Sequence, residues 1–193
     1  MTHDLIKELR ELTGAGILEI KNALSEIGHD KDKVIEFLRK KGISKAGKKA
    51  DRVAKEGIVE AYLHPGNRVG VLVEINCETD FVARTENFKA LAKDLALHIA
   101  AANPLYVNIT DVPAEVLEKE KEIYKEQVKD KPEDVVNKIV EGKIAKYYEE
   151  ACLMEQPFIK NPDVKIKDLV SGAVAKMGEN VVVKRFARFV LGN

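Results

Sequence analysis

Residues Val69-Gly70-Val71-Leu72-Val73-Glu74-Ile75 run directly into Asn76-Cys77-Glu78-Thr79-Asp80-Phe81-Val82-Ala83-Arg84, and the change of pattern between these two stretches decides the fold. The first is β-branched and aliphatic, as a strand is. The second loses that pattern, and a helical period takes over near Thr85 to Asn87, so residues 75–84 form a strand-to-helix corner. Such a corner can hold a few side chains in fixed geometry without itself being core. It carries no catalytic set: Asp80 has neither a nucleophile nor a histidine beside it, and Phe81 is a large apolar residue with no periodic reason to face inward. Two readings fit. Either Asp80 is a helix-start carboxylate and Phe81 a staple folded onto the core, or the two form an outward wedge with a charge beside it.

Upstream, Ile58 to Leu63 is another β-branched run, and His64-Pro65-Gly66-Asn67 carries Pro then Gly in the order of a type II turn, which predicts a hairpin. Before it, Leu5, Leu9 and Leu12 share one face of a short helix stopped by Thr13-Gly14-Ala15-Gly16. Ile17, Ile20, Ala23, Leu24 and Ile27 give a second helix ended by Gly28; Asp30 caps a third, with Val34, Ile35 and Leu38 as its stripe and Gly42 at its end. Three such helices make a compact module. Gly14 and Gly16 are no dinucleotide fingerprint, because no strand precedes them and the third glycine is missing. They form a tight turn, which either does nothing more or offers exposed backbone to a partner. From Arg39 to Lys55 the chain is basic, opposed only by Asp51, and holds no aromatic residue to stack on a base. It reads as a solvated linker and is the best sequence support for a nucleic-acid role. The expected division is therefore a helical module with its basic linker over residues 1–54 and a second domain over residues 55–193.

Downstream of the corner, Phe88, Leu91, Leu95 and Ile99 form a helical stripe, and Ala90, Ala92, Ala96 and Ala100 are thin enough to bring that helix close to the sheet. His98 reads as a boundary residue. Leu105 to Ile109 alternates as a strand would. Asp111-Val112-Pro113 opens a charged helix to about Val128, Lys131-Pro132 breaks it, and Val136, Val140, Ile144, Tyr148 and Cys152 mark a longer helix, so the two predict a helical hairpin. Another short helix falls within 163–177. The final run, Val181 to Leu191, alternates Val181, Val183, Ala187, Phe189 and Leu191 with Val182, Phe186 and Val190. A strand apolar on both faces wants cover on both, one from its own helices and one from a second chain. The fold class is α+β, with an antiparallel-sheet core, packed helices and a helical hairpin.

The 193 residues, 45% hydrophobic and 33% charged, describe a globular chain with room for one sizeable domain or two small ones. No apolar run is long enough to cross a bilayer, and the opening Met1-Thr2-His3-Asp4-Leu5-Ile6-Lys7-Glu8 is too charged for a secretory signal, so a cytoplasmic location without a membrane partner is expected. Cys77 and Cys152 form neither a metal-binding pair nor a redox motif; no metal or cofactor is expected. A formal net charge of zero argues against a dedicated nucleic-acid binder. Cys77 with His98, or Asp80 with any histidine, lacks the spacing of an enzyme's nucleophile or metal site.

The run Val73-Glu74-Ile75-Asn76-Cys77-Glu78-Thr79-Asp80-Phe81-Val82-Ala83-Arg84 closely resembles the signature of the elongation factor Ts family. Leu12-Thr13-Gly14-Ala15-Gly16, Leu153-Met154-Glu155-Gln156-Pro157-Phe158, and Gly178-Glu179-Asn180 through Arg185-Phe186 resemble further stretches of that family, in the same order. The resemblance implies a ubiquitin-associated-like three-helix module at the start, and a nucleotide exchange factor for the GTPase elongation factor Tu. It also implies that Thr79, Asp80, Phe81 and Val82 form the contact that dislocates the GTPase's Mg²⁺, and that Leu12, Gly14 and Gly16 form a secondary contact. Longer members of the family carry two related core subdomains and a dimerisation insert. Only one such core is found here, which predicts a homodimer that rebuilds the bipartite surface.

Overall fold

The computed structural model describes residues 2–192, and only the backbone at Thr2, Arg39, Ile43, Ser44 and Lys45. Three helices open the chain: α1 (Thr2–Thr13), α2 (Ile17–Ile27) and α3 (Lys31–Gly47). Leu9, Ile20, Ala23, Leu24, Val34 and Leu38 meet in a core of their own. Gly28, at φ +90°, ends α2 by donating its N–H to the Leu24 carbonyl at 3.0 Å, and the Asp30 carboxylate caps α3 by accepting from Lys33 N–H at 3.3 Å.

Gly42 does not end α3 as expected. The helix runs on to Gly47 and lies along a later helix, α8 (Ile166–Met177). A Cβ at Gly42 would stand 3.3 Å from the Ala175 methyl, so the glycine is where the two helices approach closely. Ala46, one turn on, is buried in the main core. Packing of this kind outweighs the ~1 kcal/mol that glycine costs a helix interior. The basic run consequently begins on a helix; the side chains of its Arg39 and Lys45 lie outside the described ones.

The class is α+β. A three-stranded antiparallel sheet has the order β1 (Glu56–Leu63), β2 (Val69–Cys77), β5 (Val181–Val190). At the β1–β2 turn, Gly66 sits at φ +91° and Asn67 N–H donates to the His64 carbonyl at 2.9 Å, as the Pro-Gly order required. After β2 come a single helical turn, α4 (Asp80–Ala83), and the long α5 (Glu86–Ala102). Phe88, Leu91, Leu95 and Ile99 of α5 are buried against Val71, Val73 and Ile75 of the sheet, with Ala92, Ala96 and Ala100 buried among them; Ala90 is exposed. α6 (Ala114–Glu126) and α7 (Glu133–Ala151) pack as the expected hairpin, and β3 (Pro157–Phe158) with β4 (Asn161–Lys165) makes a small ribbon before α8.

Three other expectations fail for identifiable reasons. Residues 105–109 are not a strand: Leu105 and Tyr106 N–H both reach the Ala151 carbonyl, at 2.8 and 3.0 Å, and Asn108 and Asp111 close a 3-10 turn over Ile109–Asp111. His98 is not a boundary residue but 1% exposed. The two faces of β5 exchange partway along, because Glu74 pairs with Arg185 while Ile75 pairs with Val183, leaving Lys184 as an extra residue. Beyond this bulge Phe186 and Val190 turn inward with Val183, whereas Ala187, Phe189 and Leu191 face out.

Candidate functional site

The corner after β2 is built from both of its ends. Cys77 is fully buried and its Sγ donates to the Thr79 carbonyl at 3.1 Å. Thr79 Oγ1 accepts from Val82 N–H at 3.4 Å and so caps the single turn of α4; Thr85 Oγ1 likewise accepts from Phe88 N–H at 3.3 Å and caps α5. Val82 and Ala83 are buried in the main core. Two helix starts within seven residues turn the chain sharply, and Phe81 projects from the bend.

Phe81 is 78% exposed. The staple reading is therefore wrong, since the aromatic buried at this corner is Phe88, seven residues later. Burying a phenylalanine contributes about 1.5–3 kcal/mol to a fold, which this side chain leaves unused within its own chain. Asp80 beside it is the first residue of α4, and its carboxylate pairs with the Arg84 guanidinium at 2.8 Å, both side chains lying mostly in solvent. Such a pair contributes about 0–1 kcal/mol, so Asp80 can change partner at small cost.

The signature of residues 75–84 does not show what holds this bend. Glu179, in the turn between α8 and β5, accepts at Oε2 from the N–H groups of Glu78 and Thr79 at 3.1 and 3.0 Å, and at Oε1 from the Thr79 hydroxyl at 2.7 Å. Glu78 reciprocates, its Oε1 accepting from Asn180 N–H at 2.7 Å. The Asn180 amide then donates to the carbonyls of Ala50 and Arg52 at 3.1 and 2.8 Å, and Lys49 Nζ donates to the Gly178 carbonyl at 2.5 Å. Gly178-Glu179-Asn180 stood out in the sequence as a stretch, but nothing local announces that it meets residues a hundred positions away.

The second group of expected contacts lies on the helical module. Leu12 and Gly16 are exposed; Gly14 is half-buried at φ +68°, where a Cβ would stand 2.6 Å from Lys176 Cγ and 2.9 Å from its Cβ. That turn is therefore seated on the end of α8, the helix that leads into Glu179. A cleft of about 440 Å³ opens beside it, with Leu12, Leu38, Leu91, Leu169 and Met177 among its lining.

Acid–base or nucleophilic chemistry finds little here. Burial pushes the Cys77 thiol up and the Cys152 thiol up to about 11, so both stay protonated near neutrality. His98 accepts at Nδ1 from Ile159 N–H at 3.2 Å, which leaves Nε2–H to donate to Gln156 Oε1 at 2.9 Å; burial lowers its pKa. Among the described residues no three His, Cys, Asp or Glu side chains gather as a metal site, and no helix is long and apolar enough to cross a membrane.

This arrangement has counterparts along its whole length. The chain is 60% identical to elongation factor Ts of Thermotoga petrophila over 189 residues, covering 98% of this chain and 95% of that one. It is 57% identical to elongation factor Ts of Carboxydothermus hydrogenoformans over 194 residues, covering 100% and 89%. The family model for elongation factor TS matches residues 18–193, from the first turn of α2 through the corner to the end of β5. These matches establish that the chain belongs to the elongation factor Ts family of translation elongation factors.

Proposed function

We propose that the protein is a guanine nucleotide exchange factor: it binds elongation factor Tu carrying GDP, displaces Mg²⁺ and promotes GDP release so that GTP can enter. A GTPase holds GDP largely through Mg²⁺ and a phosphate-cradling loop. A factor that binds the empty or metal-free form more tightly must, by linkage, loosen the nucleotide by the same factor. A thousandfold loosening corresponds to about 4 kcal/mol, within reach of one aromatic anchor and its surroundings. The observation that carries the reading is Phe81, held out at 78% exposure on a corner fixed from both ends. Phe81 enters between elements of the GTPase that position Mg²⁺. Asp80 leaves Arg84 to reorganise that site, while Thr79 and Val82 keep the loop in shape. No acid, base or cofactor of the factor's own is needed.

Leu12, Gly14 and Gly16 make the second contact, from a module spanning residues 1–54 that is set on a core of residues 55–193. Two chains associate through the outer face of the sheet, where Val59, Leu63, Leu72, Phe189 and Leu191 are exposed. The protein works in the cytoplasm, free of membrane and of specific nucleic acid; within the basic run, Lys49 and Arg52 face Gly178 and Glu78. The direct test is GDP release from elongation factor Tu with Phe81→Ala protein. At least a tenfold loss is expected, and release equal to wild type at matched occupancy removes Phe81 from the mechanism.

A further inference from the structure

We propose that Glu179 is a positioning residue for the exposed corner, acting on the GTPase only through the backbone of Glu78 and Thr79. The proposal rests on the corner being the contact surface for a GTPase. A free-standing bend would have two backbone N–H groups and a hydroxyl to satisfy in water, and several ways of doing so. Here a single half-buried carboxylate takes all three donors within 2.7–3.1 Å. Thr79 is thereby fixed as the cap of α4, and the cap sets the direction in which Phe81 leaves the chain. Charge-assisted bonds of this kind are the stronger ones in proteins.

The carboxylate is itself held. Gly178, at φ +79°, ends α8, and its carbonyl is gripped by Lys49; Asn180 on the other side is 4% exposed and tied to Ala50 and Arg52. The three residues of one turn thus hold the corner on one side and the segment leading out of α3 on the other. Without Glu179 the corner samples other bends, and the population ready to dock falls. Apparent affinity falls with that fraction, while the docked complex, once formed, is little altered.

Rates of GDP release from elongation factor Tu would be measured against factor concentration for wild type, Glu179→Ala, Glu179→Gln and Phe81→Ala, with amide hydrogen exchange on each free protein. For Glu179→Ala the half-saturating concentration should rise about tenfold, with the plateau rate lowered far less. Exchange at the Glu78 and Thr79 amides should quicken while Val73 and Ile75 in the sheet stay protected. Glu179→Gln should recover most of the loss, because its amide oxygen can still take the two backbone donors. If Glu179→Ala does not fold, Glu179→Asp, which keeps the charge on an arm one methylene shorter, is judged by the same criteria. Half-saturation within twofold of wild type, alongside a defective Phe81→Ala, overturns the role of Glu179 and leaves the exchange function standing. A plateau that falls as far as half-saturation rises, or a Gln variant as poor as Ala, also overturns it. If Phe81→Ala itself matches wild type, Phe81 leaves the mechanism, the corner is not the GTPase contact, and this proposal falls with it.

Discussion

Phe81 and Val82 are neighbours in the chain and point opposite ways, one 78% exposed and the other 7%. The short turn of α4 makes this possible, since consecutive helical positions face about 100° apart: Val82 and Ala83 turn into the core and Phe81 does not. Stability and function should therefore separate between them. Phe81→Ala is expected to change unfolding free energy by no more than about 0.5 kcal/mol, as for an exposed substitution. Val82→Ala should cost roughly 2 kcal/mol through the cavity it leaves. Urea unfolding of the two variants, set beside their GDP-release rates, checks this: only Val82→Ala should lose stability, and the stable Phe81→Ala should still be the poorer exchanger.

Gly57 in β1 offers a sharper test of the scaffold. At φ +147°, a Cβ there would stand 2.1 Å from the Ile75 carbonyl oxygen and 2.7 Å from Asn76 Cα. Both obstacles are backbone, so no side chain can turn away to make room. Gly57→Ala should destabilise the protein by about 3 kcal/mol or more. Because Ile75 and Asn76 lead into the corner, the variant should also exchange nucleotide poorly even where it remains folded. The denaturation midpoint and the exchange rate, measured together below the transition, check both parts.

The helices of the module, the hairpin and the α5 stripe were legible because each rests on local pattern: period, turn chemistry or a caps-and-glycine boundary. The direction of Phe81 was not, since local pattern fitted a buried staple as well as an outward wedge and only the family resemblance favoured the second. What was not legible depends on distant partners. Gly42 has the look of a helix stop until Ala175 is seen across from it. Leu105 to Ile109 alternates as strands do, yet it bonds to Ala151 at the end of α7 and to Leu153 and Met154 in the turn after it, not to a strand of the sheet. The bulge at Lys184 shifts every later side chain of β5 to the opposite face, and its own residues do not signal it. Glu179 looks like one of many surface carboxylates until the fold brings Thr79 to it.

His98 should make stability depend on pH in a defined direction. Burial lowers its pKa below the ordinary 6.5, with the Gln156 hydrogen bond opposing, so the folded chain keeps the ring neutral where the unfolded chain protonates it. The contribution is fully present above about pH 6.5 and is lost as pH falls from there through the folded-state value. Protonation would also put a proton on Nδ1, where Ile159 N–H now donates. Urea midpoints compared between pH 7.5 and 5.5 should fall for wild type, and fall less for His98→Gln. An imidazole titration followed by NMR should show His98 protonating below pH 6.5.

The outer face of the sheet bears on assembly. Leu63 lies opposite Gly70, and Gly70 opposite Phe189, while Ala61, Leu72 and Ala187 form the adjacent row across the three strands. With Val59 and Leu191 this gives a continuous apolar surface, rimmed on one side by the Glu74–Arg185 ion pair at 2.7 Å. Large exposed apolar patches mark interaction surfaces, and a two-fold dimer needs one patch that fits itself. The chain's own Leu63 side chain reaches over the glycine opposite Phe189, to 3.7 Å from where a Cβ would stand. Phe189→Lys should therefore convert a dimer to a monomer in sedimentation, without lowering the unfolding midpoint of the isolated subunit, because that ring touches little of its own core. If the wild-type protein sediments as a monomer at working concentration and is fully active there, the sheet face is not a self-association surface, and one corner with one helical module is enough to grip the GTPase.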